Sequence, residues 1–278
     1  MELGPPIDPY LSFFLDRSGI ELWTLVLLCM GRMIPIVAFS PFLGGKILSD
    51  PMKIGFGIAL TPIFLPLVLS GAKESLAFDF VFIVLLVKEI LIGSILGFLI
   101  SIPFQFAQGA GSLIDHQSGS QSLQVTDPST QAQATPTGVL YNNMMIISFF
   151  LIGGPLLFFE AVFTSYKVMP ADQFFSPAFF SHTSPLFLLC VKLLNVLVTI
   201  TLQLSAPSII AMLLSDLFLG IANRMAPQVQ ISFLLWSLKS FLGIGMVWAG
   251  WWFILKQLDV QGLAWTKMLQ KMLEHIHA

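Results

Sequence analysis

Residues 80–106 read FVFIVLLVKEILIGSILGFLISIPFQF, a run of 27 in which only Lys88 and Glu89 carry charge. A helix needs about 20 apolar residues to cross the hydrocarbon of a bilayer, so this segment is long enough to span one. A charge in mid-bilayer costs at least a few kcal/mol, and such residues normally face a partner or an aqueous cavity. Pro103, near the end of the run, removes a helix donor and crowds the preceding turn. The segment therefore reads as a bent membrane helix with protein, not only lipid, against its charged face.

Five more apolar segments flank it: Ile20–Phe42, Ile54–Ser70, Gly138–Phe163, Leu186–Leu214 and Ile231–Leu255. The second holds Pro62 and Pro66, the fourth Gly153-Gly154-Pro155, and the fifth Lys192 and Pro207. Most of these helices are expected to kink or split, which gives an all-α integral membrane protein of about six to eight Pro/Gly-broken helices. Composition agrees: of 278 residues 56% are hydrophobic and 10% charged, with mean hydropathy +0.86. Soluble domains carry about 25% charged residues. A net charge of −2 gives no support to nucleic-acid binding, which needs a basic patch. Cys29 and Cys190 sit in apolar runs and read as buried free thiols. The start, MELGPPIDPY, lacks the basic opening of a cleavable signal, so the first apolar run is expected to stay in the mature protein.

Charges inside or bordering the segments are Arg32, Lys88, Glu89, Glu160, Lys192, Asp216, Arg224 and Lys239. Snorkelling from helix ends is one account of Arg32 and Lys239. Pairing inside a protein assembly is the better account of Lys88, Lys192 and Glu160. Asp216 and Arg224 lie eight residues apart, just over two helical turns, and are expected to share a broad face up to Pro227. With six crossings, Arg17, Lys73, Lys167, Lys256, Lys267 and Lys271 fall on one side, against Lys46, Lys53 and Arg224 on the other. The positive-inside rule then puts the C-terminus in the cytoplasm. Trp265, Met268, Leu269, Met272 and Ile276 give the tail an amphipathic pattern.

The least membrane-like stretch is QFAQGAGSLIDHQSGSQSLQVTDPSTQAQATPT, residues 105–137, with seven Gln and only Asp115 and Asp127 charged. Polar backbone among membrane helices is tolerated where it is buried in protein or lines water, and a long loop in a compact protein is usually functional. Within it, Gly109 and Gly111 sit at a spacing that permits close approach of helix backbones.

No catalytic constellation emerges. His116, His182, His275 and His277 are scattered and lack the number and spacing of a metal site. Ser112 and Ser118 flank Asp115-His116, but a Ser-His-Asp site depends on a geometry that adjacent residues rarely supply. No enzyme activity, cofactor or metal is expected. Intramembrane charges and broken helices are also marks of a secondary transporter, which is the alternative from another class.

Three blocks in order resemble a known family: the Gly-rich stretch Ala107–Gly119 leading to Asp127-Pro128, the run Gln203-Leu204-Ser205-Ala206-Pro207, and the block from Asp216 through Asn223-Arg224-Met225-Ala226-Pro227 to Gln228. They are similar to the FliR/SctT family (YscT, SpaR) of the type III secretion export apparatus, over essentially the whole chain. The resemblance implies a non-enzymatic core subunit in the bacterial inner membrane, partly raised toward the periplasm. Its helices would form tilted hairpins, with a P-like unit over 1–137, a Q-like unit over 138–258 and a cytoplasmic tail over 259–278. One copy would complete a helical channel for unfolded substrates. Implied partners are P-type and Q-type subunits (the SctR and SctS class), a switch protein of the SctU/FlhB class, inner rod or needle proteins, and membrane lipids. A lumenal plug loop, carried over to Gln105–Gln124, would draw mobility from Gly109, Gly111 and Gly119. Gln105, Gln108, Ser112, Asp115, Gln117 and Gln121 would line the path. Lys88, Glu89, Glu160, Lys192, Asp216 and Arg224 are expected to make contacts between subunits. The virulence (injectisome) type is favoured over the flagellar type.

Overall fold

The computed structural model describes residues 19–43, 48–71, 78–119, 125–126, 133–174, 185–225, 231–258, 260, 262 and 264–265. Among them are seven α-helices: α1 (Gly19–Phe39), α2 (Asp50–Gly71), α3 (Phe80–Ser118), α4 (Pro136–Leu151), α5 (Gly154–Val168), α6 (Pro185–Met225) and α7 (Ile231–Ala249). A further helical piece, Trp251–Leu258, follows α7 at a 60° bend. Between α3 and α4 lies a two-stranded antiparallel ladder, β1 (Val125–Thr126) with β2 (Gln133–Ala134), pairing Val125 with Ala134 and Thr126 with Gln133. Four helices are long and apolar enough to cross a membrane, or six spans if each of two bent pairs counts as one.

The all-α membrane class stands, but the prolines do not break the helices. α1 continues through Pro35, α2 through Pro62 and Pro66, α3 through Pro103 and α6 through Pro207. A proline forfeits one backbone bond, which membrane helices tolerate when neighbours re-satisfy the freed group. The breaks fall at glycine. Gly153 adopts φ +72, and its N–H donates to the carbonyl of Phe150 while that of Ile152 donates to Ser148. This left-handed residue closes α4 as a helix stop. The second break follows α7 at Gly250.

The described residues fall into two compact units. The first takes α1, α2, α3 through Ser101, and α5 from Leu156. Its centre is the contact of α1 with α3. Gly93 and Gly97, four residues apart, lie where a Cβ would meet the carbonyl oxygen of Arg32 and, at 2.8 Å, Cβ of Phe39. Small residues at this spacing let two membrane helices approach backbone to backbone. Around that crossing Leu25, Leu28, Met33, Ile36, Leu85, Ile92 and Val162 are buried. Phe64 of α2 packs against Phe159, Phe163 and Tyr166 of α5.

The second unit takes α3 from Ile102, α4, α6 from Phe187, α7 and the helical piece beyond it. Here the inner face of α6 carries small hydroxyl residues between apolar ones: Thr201, Leu204, Ser205, Ser208, Met212, Ser215 and Leu219 are all buried. Ser205 and Ser215 donate to carbonyls of their own helix, those of Thr201 and Met212. Thr201 donates to the carbonyl of Phe106 in α3. This division by packing is separate from the P-like and Q-like halves, which concern resemblance along the chain.

A buried charge cluster and a polar helix junction

In the first unit, Arg32, Lys88 and Glu89 meet away from solvent, with side-chain exposures of 0%, 3% and 0%. Arg32 grips Glu89 with two parallel bonds, Nε to Oε2 at 2.6 Å and Nη2 to Oε1 at 2.8 Å. This bidentate geometry suits the planar guanidinium. Its Nη1 donates to Ser165 Oγ at 3.1 Å, and Nη2 also donates to the carbonyl of Met169 at 2.8 Å. The ring of Tyr166 lies 4.0 Å from the guanidinium carbon. Lys88 Nζ sits 2.9 Å from Glu89 Oε1 and donates to the carbonyls of Pro170, Ala171 and Gln173 at 2.8, 3.1 and 2.9 Å. Asp172, also buried, acts on Lys88 electrostatically.

The arrangement has a local cause. Glu89, Gly93 and Gly97 recur every four residues, so they share one face of α3. The glycines admit α1, and the carboxylate one turn away meets the guanidinium that α1 brings. The chain leaving α5 ends with carbonyls that no helix can satisfy. Two cations collect those of Met169, Pro170, Ala171 and Gln173, which the negative end of a helix favours. Cys29, buried and free, has Sγ 3.5 Å from the hydroxyl of Tyr166.

In the second unit the polar work is done where α3 ends and α4 begins. Thr137 donates from its backbone N–H to Asp115 Oδ2 at 2.8 Å and from its hydroxyl to Oδ1 at 2.6 Å. Pro136 occupies the first helical turn, where its missing N–H costs nothing. Thr135 makes no side-chain cap of its own. A carboxylate from α3 therefore caps the positive end of α4. One turn earlier, Ser112 and Thr135 share a hydroxyl contact of 3.0 Å. A Cβ at Gly111 would fall on the carbonyl of Thr137, so that glycine is what lets the two helices touch.

Several expectations change here. Residues 105–118 belong to α3, not to a loop. Gly109 and Gly111 serve close packing instead of mobility, because the side chain of Thr201 in α6 lies against the first and the backbone of Thr137 and Gly138 in α4 against the second. Gln105 is exposed, Gln108, Ser112 and Gln117 are half-buried, and Asp115 is buried in its cap. Gly119 sits at φ 78 just past the end of α3, the left-handed turn that a glycine allows. Gln121, Asp127 and Pro128 lie outside the described residues, as do the side chains of Lys192 and Cys190, Pro227 and the tail from residue 266.

The charges also find partners within the chain. Glu89 pairs with both Arg32 and Lys88, and Lys88 also donates to the carbonyls of Pro170, Ala171 and Gln173. Arg32 does not snorkel; it is enclosed. Asp216 meets Lys239 of α7 at 2.7 Å, with Gln117 of α3 at 3.5 Å from its other oxygen. Arg224 is exposed and forms no ion pair with a described residue, and Glu160 is exposed too. The helix turns Asp216 toward its own unit, whereas Arg224 lands on the outer face. Charge reversal at Asp216→Lys or Lys239→Asp alone is expected to lower stability by about 1 kcal/mol or less for a partly exposed pair, read as a slightly lower thermal midpoint. The double reversal restores it. Reversing Asp216 and Arg224 together gives no rescue; a rescue there would show that the pairing is misassigned.

A carboxylate paired so deeply with arginine could have been sought in the sequence. Gly93-Ser94-Ile95-Leu96-Gly97 was the signal, since it marks the face of α3 that another helix backbone reaches. Nothing in the sequence named Arg32 as that partner.

Against this geometry, the model of a protein family described as bacterial export proteins, family 1, matches residues 23–261. The chain belongs to that family. Among its relatives, the surface presentation of antigens protein SpaR of Shigella flexneri is 29% identical over 78% of this chain and 80% of its own length. The Yop proteins translocation protein T of Yersinia pestis is 32% identical over 58% of this chain and 60% of its own. The flagellar biosynthetic protein FliR of Bacillus subtilis is 29% identical over 77% and 81%. The family and its apolar helices make the chain an integral membrane protein with a role in the export apparatus, and the solute-transporter alternative gives way.

Proposed function

We propose that this chain is a non-enzymatic core subunit of a type III secretion export gate in the bacterial inner membrane. One copy completes a helical channel with P-type and Q-type subunits, its P-like half preceding its Q-like half. A switch protein and inner rod or needle proteins are its further partners, and unfolded polypeptides pass beside it. The virulence type is favoured by the likeness to the surface presentation and Yop translocation proteins; the flagellar type is the alternative, given the likeness to FliR. The C-terminus lies in the cytoplasm in this reading, which the distribution of basic residues supports.

The observation that carries the reading is family membership over 23–261. The junction of α3 with α4 supports a more definite form of it. Asp115–Thr137 and Ser112–Thr135 tie together the two ends of the chain between them. The glutamine-bearing end of α3, from Gln105 to Gln117, then lines the path, and the polar residues that follow Gly119 act as the plug. Neutral Gln, Ser and Thr suit a passage for diverse chains, because strong charge or large apolar patches would hold them.

Deleting residues 120–134 while keeping Asp115, Thr135 and Thr137 is expected to raise ion leakage through the assembled complex. Unchanged permeability in a complex that still assembles would overturn the plug. Mild detergent extraction tests the wider reading: a single copy should come out with two small membrane subunits, and a small-solute-binding monomer would refute it.

A further inference from the structure

Within the first unit, an open groove of about 410 Å3 runs between α2 and α5. Its apolar walls are Leu60, Ile63 and Phe64 of α2 and Phe159 and Phe163 of α5. The two helices meet ring against ring, with the centroid of Phe64 6.1 Å from Phe159 and 5.8 Å from Phe163. Beside that contact the space is left unfilled, and Ile63 stays 61% exposed. A volume of this size suits a small ligand, for which pockets run to about 300–1,000 Å3. It does not suit another helix, since a single turn about 10 Å across and 5.4 Å long already takes about 420 Å3.

The rim of the groove carries both signs of charge. Glu160, Thr164 and Lys167 of α5 edge it, and Glu160 and Lys167 are exposed. They stand seven residues apart, about 10.5 Å along one face of the helix. Helical side chains lean toward the N-terminus of their helix. Lys167 does so, and its Nζ lies 5.9 Å from the centre of the Phe163 ring. That carries the ammonium back to within about one turn of Glu160, yet the two form no ion pair with each other. A carboxylate and an ammonium therefore stand side by side at an apolar opening, with room between them.

We propose that this groove binds a zwitterionic amphiphile of the phosphatidylethanolamine class. Its phosphate rests on Lys167, a charge-assisted contact. Its ammonium meets Glu160 and the face of Phe163, which attracts a cation. One acyl chain enters between Leu60, Ile63, Phe64 and Phe159. The charges select the class: an anionic headgroup gains Lys167 but is repelled by Glu160, and an uncharged one leaves both unmatched. The site needs only the groove and its rim, so it stands apart from the export reading.

The test keeps the full chain in native membranes and supplies phosphatidylethanolamine or phosphatidylglycerol with a photoreactive group on the acyl chain. Adducts of the first are expected to map to residues 60–64 or 159–163, at least about threefold above those of the second. Ile63→Trp fills the groove without touching the rim and should cut that yield at least about fivefold. Adducts around Leu91 of α3, which is 48% exposed, should not change and report an intact fold. Glu160→Gln and Lys167→Gln should each lower the yield about threefold. Exchanging the two, Glu160→Lys with Lys167→Glu, should restore most of it, because a zwitterion can turn end for end. Added inorganic phosphate should not compete. Equal yields from the two lipids, or loss to free phosphate, would reduce the site to an anion contact and overturn the proposal. Adducts no richer than those around Leu91, or unmoved by Ile63→Trp, would remove the groove as a lipid site.

Discussion

Glu89→Ala is expected to lower the stability of the folded chain by about 3–5 kcal/mol, because it leaves two cations buried with no carboxylate between them. Arg32 would keep Ser165 and the Met169 carbonyl, and Lys88 its three carbonyls. Those are dipoles, and they do not neutralise two charges that water cannot reach. Arg32→Ala strands the carboxylate with Lys88 alone and should be nearly as damaging. The pair as such is worth less than either loss suggests, since desolvating both ions offsets much of their attraction. Replacing both at once, Arg32→Leu with Glu89→Leu, is therefore expected to recover only part of the loss, because Lys88 stays charged beside its three carbonyls and the buried Asp172. Thermal unfolding of the detergent-solubilised complex reads all three. Full stability in the Glu89→Ala protein would mean that the charges are not paired as described.

Adding a single methyl group at Gly93 or Gly111 should have the second largest effect. A Cβ at Gly93 would fall on the carbonyl of Arg32, and one at Gly111 on that of Thr137. In both cases the obstacle is backbone, which does not rotate aside. Helices must separate, and at Gly93 they separate at the crossing that holds the charge cluster. Overpacking of this kind costs about 3 kcal/mol. Gly55→Ala and Gly245→Ala are the comparisons, since nothing stands within 4 Å of their Cβ positions. Those two should behave like the parent, or gain slightly from a better helix former. Gly109→Ala, 3.4 Å from a methyl of Thr201, should fall between. Assembled protein recovered from membranes ranks the series, and equal yields across it would remove the close-contact account.

The membrane class was legible because hydrocarbon thickness dictates run length, and the runs at Ile20, Phe80 and Leu186 met it without help from tertiary contacts. The break expected at Gly153-Gly154-Pro155 is there, whereas α1, α2, α3 and α6 run on through their prolines. Propensity weighs the lost bond at Pro62, Pro103 or Pro207 in an isolated helix, whereas a packed one continues through it. The glutamine-rich run looked like loop from residue 105, because polarity in an apolar protein resembles irregular chain. Its first fourteen residues are helix because Phe106, Ala107, Ala110 and Ile114 supply a buried stripe at helical spacing. Small residues at 109 and 111 carried two readings, mobility and close approach, and the neighbour at Thr137 selects the second.

The sequence alone determined that this chain lives among apolar surroundings, that its charges need company, and, through its ordered motifs, which family it joins. The first two follow from composition and spacing, which are properties of neighbours along the chain; the third rests on the resemblance of those motifs. The tertiary structure decided who keeps company with whom: Glu89 with Arg32, Asp216 with Lys239 and not Arg224, Asp115 with the start of α4. Those pairs span 57, 23 and 22 residues. No local rule reaches so far; helix packing brings such groups within a hydrogen bond of each other, at glycine for the Arg32–Glu89 and Asp115–Thr137 pairs.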